Sequence, residues 1–416
     1  HYEMEQEEHD VYPDDPDFDI NKARLVTTAP RICVRYECVP MRFIKHVYKI
    51  HTYAQDGCLF EGKTPVSAFL NSSYDGSFIA GLMELRYIQS LPVERIINYF
   101  ESHGFTLKKP TAHKLMEKAS SLFENLYKCI RQTALSDPYK AADETYYKIL
   151  VPEKNSKGKG VRKGYLWVVV GINTRMIYLL YDDGSRSEKV ILNELGGCKG
   201  IIQSDGYSPY RKLESDAYPH ITRIPCLQHI KRKFIDCGED DPDAKRIVEM
   251  INTLYQNEHK HKIGVDGWTV EQNLVHRKKY APDILGEIKD VLDDIEERGD
   301  LLPKSELKEA ITYLRNEWNA VVDIFNYGDT YLDNNIVERM NRYISLSRKN
   351  SLFFGSHKGA ERGAILYTIA LTCRMNKVNL FEYLTDVINR TAEWQPNTPL
   401  EKYRQLLPDR WEKAND

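Results

Sequence analysis

The sequence predicts a mixed α/β protein built from several modules, and three observations support this. The chain has 416 residues, more than a single compact hydrophobic core usually holds. Short apolar runs of strand-like composition cluster between residues 141 and 225. Segments with apolar residues at helical spacing flank that cluster on both sides.

The composition is that of a soluble globular protein. Hydrophobic residues make up 42% of the chain and charged residues 29%, with a formal net charge of −3. No apolar run is long enough to span a bilayer, and the first residues do not resemble a secretory signal. The eight cysteines are scattered, as in proteins of reducing compartments. We therefore expect a cytoplasmic protein with no membrane partner.

Two short modules are expected at the amino-terminal end. Residues 1–30 are predicted to be an acidic, disordered tail, because their first 19 positions contain carboxylates but no lysine or arginine. Residues 31–62 alternate polar and apolar types, which predicts a small β-rich module. Cys33, Cys38 and Cys58 lie there without a Cys-x-x-Cys pair, so they are a weak signal for zinc.

Residues 63–138 are predicted to be helical. Pro92 marks a helix start and Gly104 a helix end, and a second helix then opens with basic residues. Two helices joined by a tight glycine turn are typical of helix-turn-helix domains that bind DNA, although plain helical bundles contain the same pattern. The candidate DNA contacts are the basic residues at this opening: Lys108, Lys109, His113 and Lys114.

Residues 139–237 contain the predicted sheet. Three runs separated by short loops, at 141–150, 165–171 and 175–181, predict a meander of strands. A helix at 185–196 and strands at 200–204 and 220–225 follow, and then a basic amphipathic helix. This order of elements is typical of an RNase H-like core.

The core is expected to be interrupted. Residues 238–330 are rich in charge and helical in pattern, which predicts a helical insertion. The second part of the core is expected at 331–390, beginning with a helix near Asp333, and residues 391–416 form a C-terminal tail.

Three carboxylates occupy positions from which they can converge. Asp143 lies on the first strand and Asp205 at the end of the fourth, and these strands are neighbours in the predicted sheet. Glu338, on the later helix, would add a third carboxylate. Oxygen ligands from separate elements are what Mg²⁺ prefers, and two such ions can drive cleavage of a phosphodiester bond. Taken singly, Asp205 could be a turn residue and Asp143 a solvated strand end.

Five segments resemble the insertion-sequence-66 family of bacterial transposases, in the family order, within a match over roughly residues 63–390. They are 142–145 (Ala-Asp-Glu-Thr), 203–207 (Gln-Ser-Asp-Gly-Tyr), 226–234 (Cys-Leu-Gln-His-Ile-Lys-Arg-Lys-Phe), 333–339 (Asp-Asn-Asn-Ile-Val-Glu-Arg) and 348–356 (Arg-Lys-Asn-Ser-Leu-Phe-Phe-Gly-Ser).

The resemblance implies a DDE transposase that cuts and joins DNA at the ends of its own mobile element. Asp143, Asp205 and Glu338 would be the catalytic triad and hold two Mg²⁺ ions, for which Mn²⁺ can substitute. Cys226 and His229 match a Cys-x-x-His signature, with helix packing or support of the metal site as its two interpretations. The implied partners are double-stranded element ends and target DNA, a homodimer or larger assembly on DNA, and small accessory proteins. The implied location is the nucleoid of the bacterial cytoplasm.

The sequence departs from the family near its start, where paired cysteines and a coiled coil are absent, which puts zinc in doubt. After the catalytic helix, Arg348 and Lys349 are candidate phosphate contacts. Two other functions stay open: an RNase H-like nuclease or resolvase that cuts without joining, and a domesticated DNA-binding regulator.

Overall fold

The structure is a computed structural model, and it describes residues 41–47, 49, 52–55, 58–61, 67–69, 72–154, 158, 160–238, 240–395 and 397–413. The predicted acidic tail lies outside these residues, as do Cys33 and Cys38. Two compact units are found, one made of residues 1–64 and 97–107 and the other of residues 65–96 and 108–416.

The strands form two sheets. A small antiparallel hairpin consists of β1 and β2, and a five-stranded sheet has the order β5-β4-β3-β6-β7. The strands are β1 (Thr52–Gln55), β2 (Cys58–Glu61), β3 (Tyr139–Leu150), β4 (Val161–Gly171), β5 (Met176–Leu180), β6 (Gly200–Ser204) and β7 (Ile221–Pro225).

The described residues also form α-helices. They are α1 (Gly76–Met83), α2 (Val93–Ser102), α3 (Lys109–Leu122), α4 (Glu124–Ser136), α5 (Glu188–Leu195), α6 (Ser208–Arg211), α7 (Leu227–Ile235), α8 (Pro242–His259), α9 (Val270–Glu297), α10 (Glu306–Ile324), α11 (Asn335–Asn350), α12 (His357–Met375), α13 (Leu380–Thr391) and α14 (Leu400–Arg404). A π-helical turn, Glu84–Ile88, follows α1, and a 3-10 turn, Lys212–Glu214, follows α6. Among the helices described, none is long and apolar enough to cross a membrane.

The mixed α/β class predicted from the sequence is confirmed. The strands β3, β4 and β5 form an antiparallel meander, whereas β6 runs parallel to β3 and β7 parallel to β6. Residues 166–171 of β4 are all buried, which is the pattern of a strand covered on both faces. This strand is therefore in the interior of the protein. Asp143 and Asp205 lie where the neighbouring strands β3 and β6 pair.

The predicted insertion contains α8, α9 and α10, and none of the residues described between 240 and 330 belongs to a strand. These helices do not form a core of their own. Ile247, Leu292 and Ile311 share one buried hydrophobic cluster with Ile224 of β7 and Tyr139 of β3. The long helical segment thus packs onto the parallel side of the sheet and buries it.

A buried ion pair joins this helical segment to the sheet. Arg223 of β7 donates to Glu317 of α10 at 2.6 Å, and both side chains are 0% exposed. The same guanidinium donates to the Asp205 carbonyl at 2.7 Å and to the Ser204 hydroxyl at 3.0 Å. Helix α10 therefore fixes the backbone at the end of β6.

Gly206 is required by a close approach. Its N–H donates to the Tyr313 hydroxyl of α10 at 2.8 Å. A Cβ atom at this position would lie 2.5 Å from that hydroxyl oxygen, a distance no real side chain tolerates. The glycine after Asp205 therefore lets α10 brace the loop that carries the carboxylate.

We expect Glu317→Gln to lower the free energy of unfolding by about 3 kcal/mol. This is near the lower end of the cost of breaking a buried ion pair, because Glu214 still neutralises part of the Arg223 charge. The exposed pair of Arg298 and Asp243 supplies the control, since Arg298→Gln should change stability little. Urea unfolding would measure both variants, and an unchanged midpoint for Glu317→Gln would contradict the bracing role of α10.

Candidate active site

The parallel pairing of β3 with β6 places two carboxylates side by side. The register pairs Ala141 with Gln203. Two residues further along each chain come Asp143, still on β3, and Asp205, directly after β6. Since side chains two residues apart lie on the same face of a strand, the register puts these two aspartates next to each other on one face. The adjacency expected from the predicted strand order is thus what the sheet shows.

The Asp143 carboxyl has an unusual affinity for protons. Burial raises its pKa to about 8, and the negative charges of Asp205 and Glu144 act in the same direction. Hydrogen bonds from the Glu144 backbone N–H (2.8 Å) and from the Asn341 amide (2.6 Å) oppose that shift only in part. A cation beside this carboxyl would favour its ionised form, because it would offset the cost of burial and the neighbouring negative charges.

Glu144 belongs to the same environment. Its carboxylate accepts from Arg186 at 2.5 Å and from the Tyr210 hydroxyl at 3.5 Å. Burial raises the pKa of Glu144, and the Asp205 charge raises it further. Glu144 was not among the candidate site residues predicted from the sequence, although two consecutive carboxylates within a predicted strand were a visible signal.

Two asparagines dock α11 onto β3. The Asn334 amide donates to the Ala142 carbonyl at 3.0 Å, and the Asn341 amide donates to Oδ2 of Asp143 at 2.6 Å. Glu338 lies between them, four residues after the first and three before the second, on one helix face. The spacing of these residues was a signal for their role that the sequence analysis missed.

Glu338 lies beside the predicted supporting pair. Its Oε1 is 3.7 Å from Nδ1 of His229, and the ligand atoms of Cys226, His229 and Glu338 all lie within 4.8 Å of one another. No other three His, Cys, Asp or Glu residues of the described chain are grouped so tightly. The structure therefore shows two groups of candidate residues. Asp143 lies beside Asp205, and Glu338 lies beside Cys226 and His229. Helix α11 contacts the first group through Asn341 and carries Glu338 of the second.

The predicted DNA contacts differ in their surroundings. Lys108, His113 and Lys114 are exposed around the start of α3, and the equally exposed Lys109 forms an ion pair with Glu94 at 2.5 Å.

Arg348 and Lys349 were predicted to follow the helix that carries Glu338, but they lie in its last turn, at the end of α11. Lys349 is exposed, whereas Arg348 donates to the Tyr146 carbonyl at 2.8 Å and lies over the Tyr146 ring. Arg348 thus has a packing role on β3 that its sequence position did not reveal.

A basic cavity of about 580 Å³ runs along α11. Its lining includes five exposed cationic side chains: Arg175, Arg339, Arg342, Arg374 and Lys377. Within the described part of the chain, no carboxylate forms an ion pair with any of them. These charges come from three separate segments, so only the fold brings them together.

The sequence profile described as Transposase IS66 family matches residues 71–362, which include β3 to β7, α11 and all three predicted triad residues. This chain belongs to that family. The family assignment made from the five sequence motifs is therefore confirmed.

Relatives of this IS66-family chain occur in Sinorhizobium fredii (strain NBRC 101917 / NGR234). Uncharacterized protein y4jD is 26% identical over 346 residues, which is 80% of this chain and 65% of y4jD, so the chain spans slightly less than two thirds of that protein's length. Uncharacterized protein y4hP is 24% identical over 438 residues, covering 95% of this chain and 76% of y4hP. Uncharacterized protein y4qI is 26% identical over 385 residues, covering 88% and 69%.

The proximity of the two aspartates can be tested by titration. In the cation-free protein, Asp205→Asn should lower the pKa of Asp143 from about 8, because one of the charges that raise it is removed. Carboxyl ¹³C chemical shifts of aspartate-labelled protein would report this pKa. The exposed Asp216 offers a matched control, and Asp216→Asn should leave the titration unchanged. An equal pKa in the wild type and in Asp205→Asn would show that the carboxylates do not interact.

Proposed function

We propose that this IS66-family chain is a DNA transposase in which Asp143, Asp205 and Glu338 form the site for strand cleavage and strand transfer. The observation that carries the proposal is the pair of adjacent carboxylates on β3 and after β6, with Asp143 held at a raised pKa. The order of the sheet, a meander followed by two strands parallel to its first strand, supports an RNase H-like core.

The residues fit divalent Mg²⁺ or Mn²⁺. Asp143 and Asp205 offer oxygen donors, and the repulsion between their charges is what a cation would relieve. Asp143 and Asp205 would hold the ions, with Glu338 as the third carboxylate. When bound, two such ions activate the attacking oxygen and stabilise the leaving oxygen of a phosphodiester.

The surrounding residues position this set. The Asn341 amide orients the Asp143 carboxylate through Oδ2. Arg223 holds the Asp205 carbonyl, so the backbone that carries the second carboxylate cannot shift freely. Asp143 must release its proton before it binds a cation, because only the ionised carboxylate is a ligand.

Double-stranded DNA is the proposed partner, both as element ends and as target. The basic cavity along α11 supports this, because exposed arginines that form no ion pair within the described residues can contact backbone phosphates. The exposed Lys108 and Lys114 at the start of α3 would add contacts to a duplex.

Strand transfer is the decisive assay. Protein, Mg²⁺, a pre-cut element end and a plasmid target would be incubated together. Joined products support a transposase, cuts without joining identify a nuclease or resolvase, and binding alone identifies a DNA-binding regulator.

Substitution of the carboxylates should abolish the chemistry and spare binding. We expect Asp143→Asn, Asp205→Asn and Glu338→Gln each to slow cleavage and joining by about 1,000-fold or more, since the bound ions contribute several kcal/mol to the barrier. Duplex affinity should stay equal or rise, because an anion facing phosphate is gone. Gel-based cleavage and binding assays measure both quantities, with Asp216→Asn as the active control. Cleavage at the wild-type rate in Asp205→Asn would refute the proposed site.

The basic cavity should govern part of the salt dependence of binding. We expect the double variant Arg342→Ala and Arg374→Ala to weaken duplex binding and to reduce the slope of log affinity against log salt by about 2. Lys260→Ala with Lys262→Ala removes two exposed charges outside the cavity and should leave the slope near the wild-type value. Equal slopes for wild type and the cavity variant would exclude this surface as a phosphate contact.

A further inference from the structure

Cys226, His229 and Glu338 meet at the junction of two helices. Cys226 is the residue before α7, His229 lies in the first turn of α7, and Glu338 lies in the first turn of α11. The junction is held by two hydrogen bonds, from the Leu227 N–H to the Leu332 carbonyl at 2.9 Å and from the Asn334 N–H to Sγ of Cys226 at 3.2 Å. The three ligand atoms therefore sit on backbone that is fixed on both sides.

Two of the three polar groups lack partners. Nδ1 of His229 and Oε1 of Glu338 are both buried atoms without a hydrogen bond. They are 3.7 Å apart, too far for a hydrogen bond between them. Buried polar atoms left in this state cost stability, so their persistence points to a ligand that would contact both.

The distance between the histidine nitrogen and the glutamate oxygen suits a tetrahedral cation. Bonds of about 2.0–2.3 Å to nitrogen, oxygen and sulfur place neighbouring ligand atoms roughly 3.3–3.6 Å apart in a tetrahedral site. The separation of 3.7 Å between the histidine nitrogen and the glutamate oxygen is close to that edge.

The donor set also discriminates between metals. A thiolate and an imidazole favour Zn²⁺ and similar ions, whereas Mg²⁺ selects oxygen ligands. The N–H of Asn334 already donates to the sulfur, which would stabilise a thiolate there.

We propose that Cys226, His229 and Glu338 bind one thiophilic divalent cation of the Zn²⁺ class, at a site separate from the oxygen ligands Asp143 and Asp205. Three protein ligands leave a fourth position for water or another oxygen donor. Burial raises the pKa of the Cys226 thiol to about 12 without a cation, so binding releases a proton.

The site has one consequence for catalysis, which rests on the proposed function. Glu338 is both a ligand of this cation and the third carboxylate of the proposed triad. An ion on Cys226 and His229 would therefore hold the Glu338 carboxylate in place, and excess Zn²⁺ would compete with the cleavage reaction for it.

Cobalt spectroscopy of the full chain tests the site directly. After removal of metals with a chelator, Co²⁺ should bind at one ion per chain and produce a near-ultraviolet charge-transfer band from thiolate to metal. Zn²⁺ should abolish the band, and excess Mg²⁺ should not. Cys226→Ser should remove it, and His229→Gln should weaken Co²⁺ binding by more than the ~10–100-fold that loss of a supporting residue costs.

Two controls separate this site from other thiols. Cys198→Ser, at a buried cysteine outside the cluster, should keep the band, and so should a variant with Cys33, Cys38 and Cys58 all replaced by serine. Circular dichroism confirms that each variant is folded. If Cys226→Ser does not fold, the Co²⁺ affinity of His229→Gln is the deciding measurement. A His229→Gln protein that binds Co²⁺ as tightly as the wild type would overturn the proposal.

The outcome is independent of the transposase assay. Asp143→Asn should lose cleavage but keep the cobalt band, because Asp143 is not a ligand of this cation. Absence of the band in wild type, or its persistence in folded Cys226→Ser, would refute the cation site while leaving the proposed function untouched. A band in a wild-type protein that neither cuts nor joins DNA would refute the function and support the cation site.

Discussion

The candidate site depends on the parallel pairing of β3 with β6. This pairing puts Asp143 beside Asp205, and the burial of Asp143 further disfavours its charged form. Folding therefore brings together two carboxylates that repel each other, which disfavours ionisation of Asp143. A site that carries this strain in its cation-free state is suited to bind divalent ions, because binding relieves the repulsion.

Two consecutive helices, α10 and α11, maintain that arrangement. Helix α10 braces the end of β6 through the buried pair of Glu317 and Arg223 and through the contact of Tyr313 with Gly206. Helix α11 is docked on β3 by the amide of Asn341. The long helical segment before α11 thus acts as a structural support for the carboxylates, since it shares a hydrophobic core with the sheet.

Glu338 connects two kinds of donor. Asn341 of α11 donates to the hard carboxylate of Asp143, and Glu338 of the same helix lies within 4.8 Å of the thiol of Cys226 and the imidazole of His229. A single carboxylate between hard and soft donors can couple the occupancy of two cation sites. In the proposed arrangement, the Cys-x-x-His segment supplies two ligands to a cation.

The sequence by itself determined the mixed α/β class of the fold and the strands of the large sheet, because periodicity and turn residues record which face of each element is buried. It also singled out Asp143, Asp205 and Glu338 as candidates. The apolar runs at 165–171 and 200–204 correspond to β4 and β6, and the adjacency of Asp143 and Asp205 followed from strand order. Only the tertiary structure decided which side chains meet across distant segments. Three features depend on how the helices pack on the sheet, and no local sequence pattern encodes that geometry. They are the cavity lined by Arg175 and Arg374, the packing of Arg348 on β3 and the close approach at Gly206.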